Sequence, residues 1–321
     1  MPPLQRPVAD HEPTPPQRGP AAPAGRCLPR REWLVGAAAQ MLGGGLAAMA
    51  GAAARPAAAQ GGETLPIFDA HLHYSHDAWE RLSPKEAVAL MRQAGLRRAM
   101  VSSSSDEGTQ KLHAEAHDLV LPVLRPYRTR SEIGTWVRDE TVIAHLEARL
   151  ARYRYVAIGE YHVYGEDADL PVMRRVVQLA RERKLALHSH SDADAVERQF
   201  RQDPGARILW AHSGFDTPAN VRAMLRKHRN LSCDLAFRSD HAIVDAQHGK
   251  VEPAWREAFL EFPDRFMVGT DTFTPERWHY VGEHARWSRR WLADLPREVA
   301  EAIAWRNGER LFGLAWSAAA R

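Results

Sequence analysis

Two cysteines stand in 321 residues, and their positions sharpen the scarcity. Cys27 lies in a leader-like stretch and Cys233 is alone in the rest, so no intramolecular disulfide holds the folded part together. A disulfide-stapled scaffold is excluded, and the fold has to rest on packing. Charge of one sign is scarce as well: the formal net charge is only +3. That excess belongs to residues 1–59, where Arg6, Arg18, Arg26, Arg30, Arg31 and Arg55 outnumber Asp10, Glu12 and Glu32. Residues 60–321 therefore balance, which argues against nucleic acid or another polyanion as partner. No internal repeat, coiled-coil heptad or glycine-rich phosphate loop of the usual spacing appears. Long apolar runs are missing too. The Ala/Gly-rich stretch ending near Ala54 carries Gln40 and many glycines, and Arg55 interrupts its end, so no stable membrane anchor is expected.

Residues 1–29 are rich in Pro, Ala and Arg without apolar periodicity, and disorder is expected there. Arg30-Arg31 then precede the weakly apolar stretch, and Ala57-Ala58-Ala59 supplies small residues ahead of Gln60. That order resembles a twin-arginine (Tat) export signal cleaved near Ala59. It implies a periplasmic or secreted mature protein that meets the Tat machinery through its leader. The Tat route carries folded proteins, which suits a disulfide-free chain.

From Leu65 onward, short apolar runs alternate with amphipathic stretches. Strands are expected at 65–73, 98–103, 120–124, 156–160, 185–190, 207–212, 231–237 and 266–271. Helices are expected at 84–94, 107–117, 139–153, 170–183, 193–201, 218–228, 253–262, 276–292 and 298–311. Ser83 is placed to cap the first of these, with Pro84 at its first position. Eight βα units in about 250 residues predict an α/β fold, a (β/α)8 TIM barrel forming one domain over 60–321 with an extra C-terminal helix. A doubly wound sheet is the alternative. Longer connections at 104–108, 127–138, 162–169 and 238–251 would crowd one rim.

In such a barrel the site lies where the strands end. His71 and His73 close the first strand, Glu160 the fourth, His188 and His190 the fifth, His212 the sixth and Asp271 the eighth. Alternation places His71 and His73 on one face, and neutral imidazole suits zinc and similar divalent metals. Buried His, Glu and Asp gathered at one end are costly without partners, and a divalent ion supplies one.

These segments resemble the metal-dependent amidohydrolase superfamily, and within it the amidohydrolase-2 type. The carrying residues are Asp69-Ala70-His71-Leu72-His73, Gly159-Glu160, His188-Ser189-His190, Trp210-Ala211-His212-Ser213-Gly214, Gly269-Thr270-Asp271-Thr272 and Asn307-Gly308-Glu309-Arg310-Leu311-Phe312-Gly313. The resemblance implies that His71, His73, a fifth-strand His and Asp271 hold a divalent metal, with zinc expected as one or two ions. His212 would bind a second ion or polarise the substrate. Two features depart from the pattern. No lysine stands on the fourth strand to bridge two ions; Glu160 occupies that place and looks like the Gly-Glu of TatD-like nucleases, where it could bridge two ions or equally orient one ligand without touching a metal. The fifth strand offers two histidines, of which His190 is favoured, because Ser191-Asp192 starts the next helix; His188 is left as a nearby ligand or hydrogen-bond partner.

The chemistry implied is hydrolysis of an amide, ester or lactone by metal-activated water, with Asp271 as proton shuttle and His212 polarising the carbonyl. A small-molecule substrate is expected, with Arg238 positioned to pair with its carboxylate and His162 beside it. Asp234 and Trp278 fall near the rim. Arg238 reads equally as a surface ion pair; Arg125 and Arg128 have the same two readings, with the surface ion pair favoured, and Trp255, Trp287, Trp291 and Trp305 read as helix packing. The rival readings are a non-oxidative decarboxylase on the same site, a TatD-like phosphodiesterase, which balanced charge disfavours, and a non-catalytic metal-binding barrel.

Overall fold

The computed structural model describes residues 64–238, 242–245 and 248–314. The expected leader, 1–59, lies outside them. In chain order the elements are β1 (Ile67–Leu72), α1 (His76–Trp79), α2 (Pro84–Gln93), β2 (Leu96–Ser102), α3 (Glu107–Glu115), β3 (Val120–Leu124), α4 (Thr141–Arg152), β4 (Ala157–His162), α5 (Pro171–Arg183) and β5 (Ala186–His190). They continue with α6 (Ala193–Gln202), β6 (Ile208–Trp210), α7 (Pro218–Lys227), β7 (Leu231–Asp234), α8 (Pro253–Glu261), β8 (Phe266–Met267), α9 (Pro275–Trp278), α10 (Val281–Leu292), α11 (Arg297–Glu301) and α12 (Asn307–Leu311). The strands pair in parallel in sequence order. The ring is joined between β1 and β8 by Ala70 N donating to Val268 O, Asp271 N to His71 O and His73 N to Thr272 O, at 2.7–2.9 Å. The expected (β/α)8 TIM barrel is the observed fold, and no described helix is long and apolar enough to cross a membrane.

Local sequence explains where the helices start. Ser83 Oγ accepts from Glu86 N while the Glu86 carboxylate accepts from Ser83 N, a reciprocal cap for α2. Asp192 and Thr217 cap α6 and α7 in the same sense, and Pro171, Pro218, Pro253 and Pro275 take first-turn positions whose N–H has no helical partner to lose. Two expected helices are interrupted. The one over 276–292 becomes α9 and α10, and the one over 298–311 contains a π turn, Ala302–Arg306, between α11 and α12.

One apolar cluster takes residues from seven strands, among them Phe68, Met100, Val123, Ala157, Leu209 and Met267, and forms the barrel interior. Leu311, Phe312 and Leu314 pack against it, so the C-terminal segment closes one end with hydrocarbon. Phe68 and Phe312 stack with centroids 6.1 Å apart. The larger cluster lies between strands and helices and includes buried Trp255 and Trp291, with Trp287 and Trp305 packed on its edge. These tryptophans are packing residues, as expected. With one end plugged, the polar strand ends gather at the other.

Candidate metal centre

The polar end is built from strand termini that depart from ideal strand geometry. The β1–β2 register shifts between Asp69 and Leu72, and the β4–β5 register between Gly159 and Tyr161. β6 stops at Trp210 and β8 at Met267, short of the expected His212 and Asp271. Both of those residues take left-handed backbone, φ 55° at His212 and 45° at Asp271. Such a conformation costs a non-glycine residue about 1–3 kcal/mol and persists where the surroundings over-determine it. Ser213 (φ 50°) and Gly214 (φ 64°) extend the turn. Gly214 is required there, since a Cβ would lie 2.0 Å from the Trp210 ring.

The result is a cage of nitrogen and oxygen donors. His71 Nε2 and His73 Nε2 are 3.1 Å apart. Asp271 Oδ1 lies 3.5 and 3.1 Å from them, and Glu160 Oε2 lies 3.4 and 3.2 Å from them. A tetrahedral ion with bonds of about 2.0–2.1 Å requires donor separations of roughly 3.4 Å. His71, His73 and Asp271, whose donor atoms all lie within 4.8 Å of one another, therefore fit a zinc-sized divalent ion, with Glu160 beside the two imidazoles. On the other side of Glu160, Oε1 is 2.7 Å from His190 Nδ1 and 3.7 Å from His212 Nε2.

The histidines are turned by what holds their other nitrogens. His71 Nδ1 faces Asp234 Oδ2 at 3.2 Å, His73 Nδ1 donates to Ser102 O at 2.6 Å, and His212 Nδ1 donates to Ala236 O at 3.0 Å. Each Nε2 is thereby left facing the cage, the tautomer a metal ligand needs. Asp234 is fully buried and does more: Oδ2 also faces His188 Nε2 at 3.0 Å, while Oδ1 accepts from His212 N and Ala236 N at 3.0 Å each.

The charges agree with the donor set. Burial alone would raise Glu160, but the His71 charge and hydrogen bonds from His190 and His212 hold it well below the usual carboxylate range. Burial likewise opposes ionisation of Asp271, and His71 and His73 bring it down to about 2. Asp234 is lowered against its own burial by His71 and by the His188 hydrogen bond. Burial would depress His71, yet Asp271, Glu160 and Asp234 raise it well above 6.5. Three buried carboxylates held in the ionised form around one imidazole pair make a candidate cation site by chemistry as well as by distance.

The amidohydrolase family profile matches residues 68–314, most of the chain. The chain belongs to the amidohydrolase family. It is an enzyme of that superfamily. Its barrel is similar to that of a putative 2-pyrone-4,6-dicarboxylic acid hydrolase from Pseudomonas putida, at 13% identity, covering 79% of this chain and 99% of that one, with a TM-score of 0.55. An uncharacterised TIM-barrel protein from Bordetella bronchiseptica gives 15% identity, 78% and 99% coverage and a TM-score of 0.53. N-isopropylammelide isopropylaminohydrolase from Burkholderia multivorans gives 11% identity, 77% and 74% coverage and a TM-score of 0.50. At such identities the likeness shows the fold. No curated relative matches this amidohydrolase.

The remaining site residues of this amidohydrolase divide by position. His190 stands at the cage, stacked on His162 with centroids 4.0 Å apart. His188 lies on Asp234 instead, and burial pushes its imidazole down to about 4. His162 Nδ1 is 2.8 Å from Tyr127 Oη, and burial lowers it to about 3, so it is a neutral wall of the cavity. Arg238 does not line that cavity: it donates to Asp216 O and lies over the Phe215 and Trp255 rings. Trp278 is buried against Tyr74, and Asp234 sits beneath the histidines without reaching the cavity wall.

Arg125 corrects the sequence reading. It is no surface pair but 7% exposed, with Nη2 2.6 Å from Glu160 Oε2 and Nε donating to Glu160 O at 3.0 Å. Arg128 does pair at the surface, with Glu132 and Asp139. Sequence reasoning also passed over Ser102, which holds His73, and Asp69, whose carboxylate accepts from His71 N, Thr270 N and Thr270 Oγ1. The run Ser102-Ser103-Ser104-Ser105 at the end of β2 was the visible signal for the first. Together Arg125, Ser104, Tyr127, His190 and Asp271 help line a cavity of about 180 Å³ above the cage.

Proposed function

We propose that this amidohydrolase is a metal-dependent hydrolase that cleaves an amide, ester or lactone bond in a small carboxylate-bearing substrate. The observation that carries the reading is the cage of His71, His73 and Asp271 with Glu160 beside it: the two imidazoles stand 3.1 Å apart, and each carboxylate lies 3.1–3.5 Å from them. A divalent ion held there, zinc by its N/O donors, supplies Lewis acidity and acidifies water. Glu160 presents Oε2 to the first histidine pair and Oε1 to His190 and His212, so its carboxylate can serve one cation or two. Asp271 is ionised and borders the cavity, which suits it to accept a proton from the attacking water and pass it to the leaving group. His212 Nε2 lies 3.9 Å from Asp271 Oδ2 at the edge of the cage, from where it would polarise a substrate carbonyl. Arg125 in the cavity wall replaces Arg238 as the partner for a substrate carboxylate. The relative from Pseudomonas putida, a putative hydrolase named for a dicarboxylic acid, agrees with that substrate class.

The same arginine favours a second reading, non-oxidative decarboxylation, since it would hold a carboxylate beside the cage. Carbon dioxide release separates the two. We further infer export: the Arg30-Arg31 leader would deliver the folded barrel to the periplasm. Retention of an Arg30→Lys, Arg31→Lys double variant in the cytoplasm is the check.

The deciding measurement is metal content by elemental analysis on protein purified without chelator, beside His73→Ala and Asp271→Asn. Near two equivalents of zinc, falling in the variants, supports a binuclear hydrolase and directs screening to amides, esters and lactones. Near one equivalent leaves Glu160 Oε1 to His190 and His212 alone and raises the decarboxylase. Folded protein that stays empty after incubation with zinc or manganese sinks the catalytic reading.

A further inference from the structure

The catalytic mouth carries an apolar feature that hydrolysis at the cage does not use. Among the described residues, the exposed large apolar side chains include Ile133, Tyr164, Phe215 and Phe237. These four stand on the connections that leave β3, β4, β6 and β7 at the cage end. Phe273, after β8, lines the cavity together with Ile133. The rings form a continuous arc. Tyr164 lies 6.2 Å from His190 and Phe215 5.9 Å from it. Phe215 stacks on His212 at 4.5 Å, Phe237 lies 5.9 Å from His212, and Phe273 6.1 Å from Phe237, centroid to centroid.

Single exposed apolar side chains are ordinary on a protein surface. Four around one mouth, from four separate loops, with half-buried Phe273 beside them, are not explained by that. Two of them are also strained: Phe215 and Phe237 hold left-handed backbone, φ 52° and 54°, where a residue without a Cβ would sit at ease. Phe215 is 53% exposed and Phe237 38%, the latter with the Arg277 guanidinium 4.3 Å over its ring, so part of each ring still faces solvent. The cavity itself holds about 180 Å³. Pockets that bury most of a drug-sized ligand run to about 300–1,000 Å³, so a larger substrate must extend past the cavity onto this rim.

We propose that the rim is the binding site for a planar aromatic group on the non-reacting part of the substrate, with Phe237, Phe215 and Phe273 as specificity-determining residues. The polar head enters the cavity beside Arg125 and the cage, and the ring lies in the aromatic arc, where edge and face contacts favour another ring over an alkyl chain. This rests on the hydrolase reading, since the head must engage the cage.

The test compares benzylphosphonate with methylphosphonate on the zinc-loaded protein by calorimetric titration, each phosphonate standing for the tetrahedral head. The expected result is benzylphosphonate at least about tenfold tighter in the wild type. In Phe237→Ala, and separately in Phe215→Ala, that advantage should shrink to about threefold or less while methylphosphonate affinity holds. Both positions are exposed, so neither variant threatens the core. Equal affinity for the two phosphonates overturns the rim assignment and leaves the centre standing. Equal affinity with a self-association that Phe237→Ala abolishes assigns the rim to a second copy of the chain, which also overturns it. Binding of neither phosphonate overturns the hydrolase reading and the rim with it.

Discussion

Replacing Asp234 by Asn asks whether the cage depends on a residue that cannot reach the substrate. Four donors converge on that buried carboxylate. His71 Nδ1 and His188 Nε2 lie 3.2 and 3.0 Å from Oδ2, and the backbone N–H groups of His212 and Ala236 lie 3.0 Å from Oδ1. A carboxylate can accept from all four, whereas an amide oxygen serves one side only. The backbone donors cannot change role, so the amide oxygen goes to them and the NH2 faces the two imidazoles. His71 must then accept at Nδ1 and carry its proton on Nε2, the nitrogen aimed at His73 and Asp271. The wrong tautomer closes a ligand position without changing its place. Loss of such an outer partner costs about 10–100-fold in metal affinity. The tautomer argument puts Asp234→Asn at the upper end, about 2.7 kcal/mol. The assay is zinc affinity by competition with a chromophoric chelator near neutral pH, with circular dichroism to confirm the fold. An Asn variant that binds zinc within about twofold of the wild type would refute the tautomer reasoning.

His71 also sets a pH dependence. Its pKa is raised above 6.5, against burial, by Asp271, Glu160 and Asp234. A raised histidine contributes stability fully below its unfolded pKa and loses it as pH climbs through the folded value. The metal-free protein should therefore melt lower as pH rises above the ordinary imidazole value of 6.5 and through the raised one, and zinc-loaded protein should not; a flat metal-free profile by scanning fluorimetry counts against the charged network. Arg125→Lys removes the two-pronged hold on Glu160. Hydrogen bonds to charged groups contribute about 1.5–3 kcal/mol, so a drop in Tm of about 3–8 °C is expected, and an unchanged Tm would show the pair to be neutral. Gly308→Ala places a Cβ 2.4 Å from the Phe68 ring. Overpacking there should cost about 1–3 kcal/mol, read as a fall of about 3–10 °C; a variant that melts with the wild type would mean α12 shifts freely.

Much of this amidohydrolase is local enough to be legible in its sequence. Eight apolar runs separated by amphipathic stretches specify eight βα units, because hydrophobic period is a property of neighbouring residues. Ser83, Asp192 and Thr217 mark helix starts for the same reason. His71, His73, Glu160, His190, His212 and Asp271 could be picked out as strand-end groups before their meeting was known. What the sequence could not decide is who meets whom. Both His188 and His190 belong to one strand, and depth alone separates the partner of Asp234 from the partner of Glu160. Arg125 and Glu160 are 35 residues apart and His71 and Asp234 163 apart, distances over which no local pattern carries information. The left-handed turns at His212, Phe215, Phe237 and Asp271 fall on residues with no intrinsic preference for them. Closure of the barrel imposes those contacts and that strain, because the ring of strands fixes each end relative to all the others at once, and only the folded whole contains that constraint.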